Sequence, residues 1–160
     1  MAVAVGDRVP DVELRTMTKD GIKKVGSADA LGTGKVVLFA VPGAFTPTCS
    51  DHHLPGYVLH ADDFKEKGVD TVACVSVNDA FVMGAWGSVQ EVGDSVLMLA
   101  DGNGDFTKAM GLEMDGSVFG LGSRSQRYAA VLEDGVITGL FVEPGPGLTV
   151  SAAPAVLKTL

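Results

Sequence analysis

The sequence predicts one α/β domain over residues 1–160, a mixed central sheet flanked by helices. Three observations predict it. Val36 to Val41 is continuously apolar, the pattern of a strand buried on both faces. Stretches with apolar residues three and four apart alternate with further apolar strands downstream. Asp134-Gly135 separates two β-rich runs and marks an antiparallel hairpin. The order is strand, helix, strand, helix, strand, then a hairpin and a last helix.

Taken from the start, Gly6-Asp7 and Pro10-Asp11 are turn signals. Val12 to Arg15 alternates and reads as an edge strand, and Lys19-Asp20-Gly21 is the hairpin tip leading into Ile22 to Val25. Ser27 to Leu31 is one helical turn before Gly32-Thr33-Gly34. After Val36–Val41 and its loop, Leu54, Tyr57, Val58, Ala61, Phe64 and Lys65 outline an amphipathic helix ending at Lys67-Gly68, with Pro55 tolerated near its start or kinking it. Asp70 to Val77 is the second central strand, with Val72, Cys74 and Ser76 on one face. Asn78-Asp79 caps a helix over Ala80 to Val89 whose apolar side is Phe81, Val82, Ala85 and Trp86.

Ser95 to Ala100 is a further strand. Asp101-Gly102-Asn103-Gly104-Asp105 resembles the opening of a calcium loop, but its twelfth position is Leu112 where a glutamate is needed. Phe106 to Met110 is a short helix closed by Gly111. Leu112 to Gly122 is glycine-rich and irregular. Tyr128–Glu133 and Val136–Val142 pair across Asp134-Gly135. Pro144 to Gly147 forbids regular structure, and Ser151 caps a final helix with Pro154 in its first turn.

Composition narrows the function classes. Hydrophobic residues make up 46% of the chain, enough for a sizeable core. A net charge of −8 without a Lys/Arg cluster argues against nucleic acid and anionic membrane surfaces. No apolar stretch approaches the roughly 20 residues of a membrane span. The start lacks the pattern of a secretory signal. Two cysteines, not in a Cys-x-x-Cys pair, are too few for a disulfide scaffold and suit a reducing compartment. That means the cytoplasm, or a plastid or mitochondrion if a transit segment was removed.

The chain is organised around Val41-Pro42-Gly43-Ala44-Phe45-Thr46-Pro47-Thr48-Cys49-Ser50. Cys49 stands where a strand gives way to a helix, and free backbone N–H groups there favour negative charge. The thiolate is the reactive form, and such positions lower a cysteine's pKa. By position alone a buried, inert cysteine is the commoner outcome. Thr46 and Thr48 set hydroxyls beside it, and Pro42 and Pro47 stiffen the turn.

This string resembles the active-site loop of the peroxiredoxins: Pro, three residues, Thr or Ser, two residues, Cys. Here those are Pro42, Thr46 and Cys49, and Gly43 to Ser50 looks like the type II, peroxiredoxin-5-like branch. Further landmarks follow in order, among them Gly68-Val69-Asp70, Cys74 to Phe81, Val82-Met83, Ala100-Asp101-Gly102, Gly120-Leu121-Gly122 and Arg124-Ser125. The element order is also that of thioredoxin-like folds. The resemblance implies a thiol peroxidase without metal, haem or flavin. Its Cys49 would be oxidised by hydrogen peroxide or a small alkyl hydroperoxide and restored by glutaredoxin, glutathione or thioredoxin.

The resemblance assigns the active-site arginine to Arg127, which precedes an aromatic and a strand. Arginine donors can hold a thiolate and a peroxide together, and Thr46 can align them. Arg124 is a weaker candidate at the pocket edge. Phe45 and Phe119 are expected to wall the pocket or face a second subunit in a homodimer. As in plant-like members, Cys74 would resolve the sulfenic acid, although its mid-strand position reads as buried and a disulfide needs Cα atoms within about 7 Å. Direct attack by glutathione or glutaredoxin is the alternative. His52 and His53 read as solvated helix residues. Two other classes stand beside the enzyme. A redox-responsive interaction module would need only the cysteine, and a cysteine hydrolase would need a histidine base, for which no signature is present.

Overall fold

The computed structural model describes residues 1–160. Seven strands form one sheet in the order β2-β1-β5-β4-β3-β8-β9. Its centre is β3 (Lys35–Ala40), parallel to β4 (Thr71–Ser76) and antiparallel to β8 (Tyr128–Glu133). β5 (Leu97–Ala100) extends the parallel part, and β9 (Val136–Val142) closes one edge as the hairpin partner of β8. The fold is thus the predicted mixed α/β sheet. No helix is long and apolar enough to cross a membrane.

The two-residue period of β3 divides the core. Val37, Phe39 and Val41 face a cluster that holds Cys49, Cys74 and Trp86. Val36, Leu38 and Ala40 face the opposite cluster with Leu14, Phe106 and Tyr128. Burial on both faces accounts for the unbroken apolar run. Val72 and Cys74 lie on the Cys49 side, as their spacing predicts.

Several expectations are corrected. β1 (Glu13–Thr18) is not the edge strand. It lies between β2 (Gly21–Gly26) and β5, so β2 takes the edge with its exposed lysines. The helix after Cys49 is three segments: a π-helical turn (Cys49–His53), α2 (Leu54–Leu59) and α3 (Ala61–Glu66), after the short α1 (Ser27–Leu31). Leu54 N–H bonds back to the Cys49 carbonyl, five residues earlier. Pro55, next in line, has no N–H and crowds the preceding turn, which favours this widened geometry.

α4 (Ala80–Val89) has the predicted bounds, and Asp79 caps it by accepting from Val82 N–H. Its inward face is Ala80, Met83, Trp86 and Gly87, whereas Phe81 and Ala85 are exposed. Asp101 is a cap: its carboxylate accepts from Phe106 N–H and from the N–H and hydroxyl of Thr107 in α5 (Asp105–Met110). The glycine-rich region carries a small hairpin of β6 (Glu113–Asp115) and β7 (Ser123–Ser125), not only irregular loop. Ser151 does not cap α6 (Ala153–Leu157). Its hydroxyl is turned to Glu143.

Candidate active site

β3 delivers the chain to Val41, and the loop that follows is held at several points. Ala44 N–H donates to Asn78 Oδ1 at 2.9 Å. Pro42 carbonyl accepts from Arg124 Nη1 at 3.3 Å, while Arg124 Nε donates to Leu121 carbonyl at 3.0 Å. Arg124 therefore ties the 116–122 loop to the active-site loop. Gly43 leaves room for that approach: a Cβ there would stand 2.7 Å from Arg124 Nη1, and the guanidinium would have to shift. Two residues on, Phe45 takes the left-handed conformation at φ 65°, which costs on the order of 1–3 kcal/mol in a non-glycine residue. Its ring is 52% exposed and 6.5 Å from that of Trp86.

The turn at Cys49 is clamped from α4. Trp86 Nε1 donates to Ser50 Oγ at 3.0 Å, and Gln90 Nε2 donates to Ser50 carbonyl at 3.2 Å. Cys49 itself is fully buried. Thr46 Oγ1 donates to Gly43 carbonyl at 2.7 Å, so its proton is already engaged and what it offers other groups is acceptor capacity.

Arg127 lies just before β8 and reaches the cysteine across the strand end. Its Nη2 donates to Cys49 Sγ at 3.2 Å and its Nη1 to His53 Nδ1 at 2.8 Å. Arg127 is 8% exposed, and it takes part in neither of the protein's ion pairs, Arg15–Glu13 and His60–Asp63. A buried cation without a carboxylate is costly unless another anion forms beside it. The groups that the two terminal nitrogens of Arg127 meet are Cys49 Sγ and the His53 ring.

His53 corrects the expectation of a solvated histidine. It is 1% exposed, whereas His52 is on the outside. Its Nε2 meets the Ser151 carbonyl at 3.1 Å. A carbonyl only accepts and a guanidinium only donates, so both bonds are made by the neutral ring protonated on Nε2. Burial, and then the Arg127 charge, lowers the His53 pKa to about 3, against the raising effect of the Ser151 bond. It is not an imidazolium assisting a thiolate. The available signal was the spacing of four residues from Cys49, one helical turn on.

Cys74 is mid-β4, between Phe39 and Met98, and fully buried. Burial pushes its thiol up, and so does Cys49, while Arg127 pulls the other way. Both cysteines are free thiols in this structure. Phe119, on a 3₁₀ turn (Ser117–Phe119), is 79% exposed.

A thioredoxin-like sheet that leads from its central strand to a cysteine under a buried guanidinium defines a class: oxidoreductases that work through a thiol. Comparison with known proteins narrows it. The Redoxin family model matches residues 4–157. The chain is 52% identical to the chloroplastic Peroxiredoxin-2E-2 of Oryza sativa subsp. japonica, over 99% of this chain and 72% of that protein. It is 46% identical to Peroxiredoxin-2B of Arabidopsis thaliana, over 99% of this chain and 98% of that one. Reduced Prx3 of Vibrio vulnificus, solved in complex with H2O2, superposes with a TM-score of 0.94 at 52% identity, covering 98% of each chain. The chain belongs to the peroxiredoxin family, in its type II branch, and is a thiol peroxidase.

Proposed function

We propose that Cys49 is the peroxidatic thiol and that its substrates are hydrogen peroxide and small alkyl hydroperoxides. The observation that carries this reading is the 3.2 Å bond from Arg127 Nη2 to Cys49 Sγ inside a water-poor site. The thiolate attacks one peroxide oxygen and the O–O bond breaks. The departing oxygen takes a proton and leaves as water or alcohol, and Cys49 becomes a sulfenic acid. Arg127 stabilises the negative charge as it moves from sulfur to the leaving oxygen. Thr46, with its proton engaged at Gly43, accepts from the peroxide hydroxyl and holds that same oxygen in line with the sulfur, so that the other oxygen is the one that leaves. Pro42 and Phe45 border the substrate, and Arg124 sets the loop they stand on.

The sulfenic acid is then attacked by a second thiol, with loss of water and formation of a disulfide. We assign that thiol to glutathione or a glutaredoxin, with thioredoxin as the competing reductant. Cys74 is the less suited partner, because it is locked in the sheet and burial holds it as a thiol. Exposed Phe45 and Phe119 support a homodimer formed beside the site. The seven-stranded sheet, which joins strands from β1 near the start to β9 near the end of the chain, supports one domain over residues 1–160. The acidic surface and free thiols favour a reducing compartment, cytoplasmic or organellar, without nucleic-acid or membrane partners. Peroxide consumption with each reductant in turn, together with a sulfenic-acid trap at Cys49, tests the assignment. Trapping elsewhere, or turnover unchanged in Cys49→Ser, would remove Cys49 from its role.

A further inference from the structure

The loop after β9 makes no hydrogen bond to Cys49 Sγ or to the Arg127 guanidinium, yet a chain of bonds links it to both. Glu143 is buried, and its backbone N–H donates to the Arg127 carbonyl at 3.0 Å. Its carboxylate closes the loop on itself. Oε2 accepts from Thr149 N–H at 2.9 Å, Ser151 N–H at 2.9 Å and Ser151 Oγ at 2.6 Å, and Oε1 accepts from Thr149 Oγ1 at 2.7 Å. This clasp fixes the Ser151 peptide. The Ser151 carbonyl in turn receives Tyr57 Oη at 2.7 Å and His53 Nε2 at 3.1 Å. With its proton on Nε2, His53 has only Nδ1 left as an acceptor, and Nδ1 receives Arg127 Nη1.

We infer that Glu143 is a positioning residue for the reaction: its clasp holds the Ser151 carbonyl, that carbonyl selects the Nε2-protonated form of His53, and His53 orients Arg127 over Cys49. The inference rests on the roles proposed above for Cys49 and Arg127. The physical reason is satisfiability. If the Ser151 carbonyl moves away, His53 loses the acceptor that keeps its proton on Nε2. The other neutral tautomer would place an N–H against the guanidinium, two donors face to face. Arg127 would have to turn, and its second nitrogen would leave the sulfur.

The test pairs Glu143→Ala with Glu143→Gln. The alanine variant abolishes the clasp. The glutamine variant can keep its carbonyl oxygen on the three donors at Oε2 and donate its amide to the Thr149 hydroxyl, so it is expected to rescue. Nitrogen NMR of histidine-labelled protein reads the His53 tautomer, and stopped-flow mixing with hydrogen peroxide reads Cys49 oxidation. Wild type and Glu143→Gln should show His53 protonated on Nε2 and oxidise at similar rates. Glu143→Ala should lose the single tautomer and oxidise about tenfold or more slowly, the scale expected when a remote change misplaces a catalytic group. Wild-type His53 found protonated on Nδ1, or on both nitrogens, overturns the inference without any variant. So does a folded Glu143→Ala that keeps the Nε2 form, whether its oxidation is slowed or not. Slow oxidation of wild-type Cys49 alongside the expected tautomers would instead contradict the proposed role of Cys49.

Discussion

Arg127 and Cys49 are 78 residues apart in sequence and joined by a 3.2 Å bond from Nη2 to Sγ, both buried. Around this bond a set of hydrogen bonds fixes the neighbouring segments. Trp86 and Gln90 hold the turn from α4, Asn78 and Arg124 hold the loop, and His53 holds the guanidinium.

Arg127→Ala removes the donor and the charge together. Oxidation of Cys49 by hydrogen peroxide should slow by about 10²–10³-fold, the usual cost of losing one preorganised donor to a developing negative charge. Arg127→Lys keeps the charge but cannot serve sulfur and His53 in one planar fork, so it should remain well below wild type. Stopped-flow rates at one pH decide this, and a near-wild-type alanine variant would contradict it.

Cys74→Ser should retain turnover with glutaredoxin and glutathione, because the strand-locked thiol is not required when an external thiol attacks the sulfenic acid. The serine hydroxyl enters an apolar site, so a stability loss of about 1–3 kcal/mol is expected alongside. Steady-state peroxide consumption checks the first point and denaturant midpoints the second. Loss of turnover in a folded variant would restore Cys74 as the resolving cysteine.

Stability should fall on the acid side in two stages. His53 ionises at about 3 in the folded protein and at 6.5 in the reference state, so the unfolded chain binds the extra proton between those values. Its contribution is complete above pH 6.5 and is lost as pH falls toward 3, with a slope of at most about 1.4 kcal/mol per pH unit. Burial alone would raise Glu143, but the bonds from Ser151 and Thr149 hold it at about 2, against an ordinary value of 4.5. Its contribution is present above pH 4.5 and is lost toward 2, which adds the second stage. Urea midpoints between pH 7 and 4 check the first stage. His53→Gln, able to donate and accept at the same places, should flatten it.

Trp86→Phe keeps most of the core volume and deletes the bond to Ser50. A loss of about 1 kcal/mol is expected from the hydrogen bond, together with faster exchange of the backbone amides in the Cys49 turn. Hydrogen exchange followed at Ser50 to His53 reads it, and unchanged protection would mean that Gln90 alone holds the turn.

The parts of this site legible in the sequence are those carried by local pattern. The apolar run before Cys49, the turn chemistry around it, the Asp134-Gly135 hairpin and the bounds of α4 follow from residue types alone. The resemblance to the peroxiredoxin loop points to Cys49 and Thr46, and it is that resemblance, not the position before β8 alone, that points to Arg127. What was not legible depends on partners distant in sequence. His53 is buried because Ser151, 98 residues away, and Arg127, 74 away, satisfy both its nitrogens. Ser151 leaves the helix start it was expected to cap because Glu143 draws its hydroxyl away. α4 buries Met83 instead of Phe81 because its packing onto the sheet, not its own periodicity, selects the inward face.

The most direct test is stopped-flow mixing of the reduced protein with hydrogen peroxide, following Trp86, the one tryptophan, whose indole is bonded to the residue after Cys49. A fast phase is expected whose rate rises linearly with peroxide and which disappears in Cys49→Ser. A wild-type protein that shows no such phase, and no sulfenic acid at Cys49 by mass spectrometry, would contradict the proposed role of Cys49.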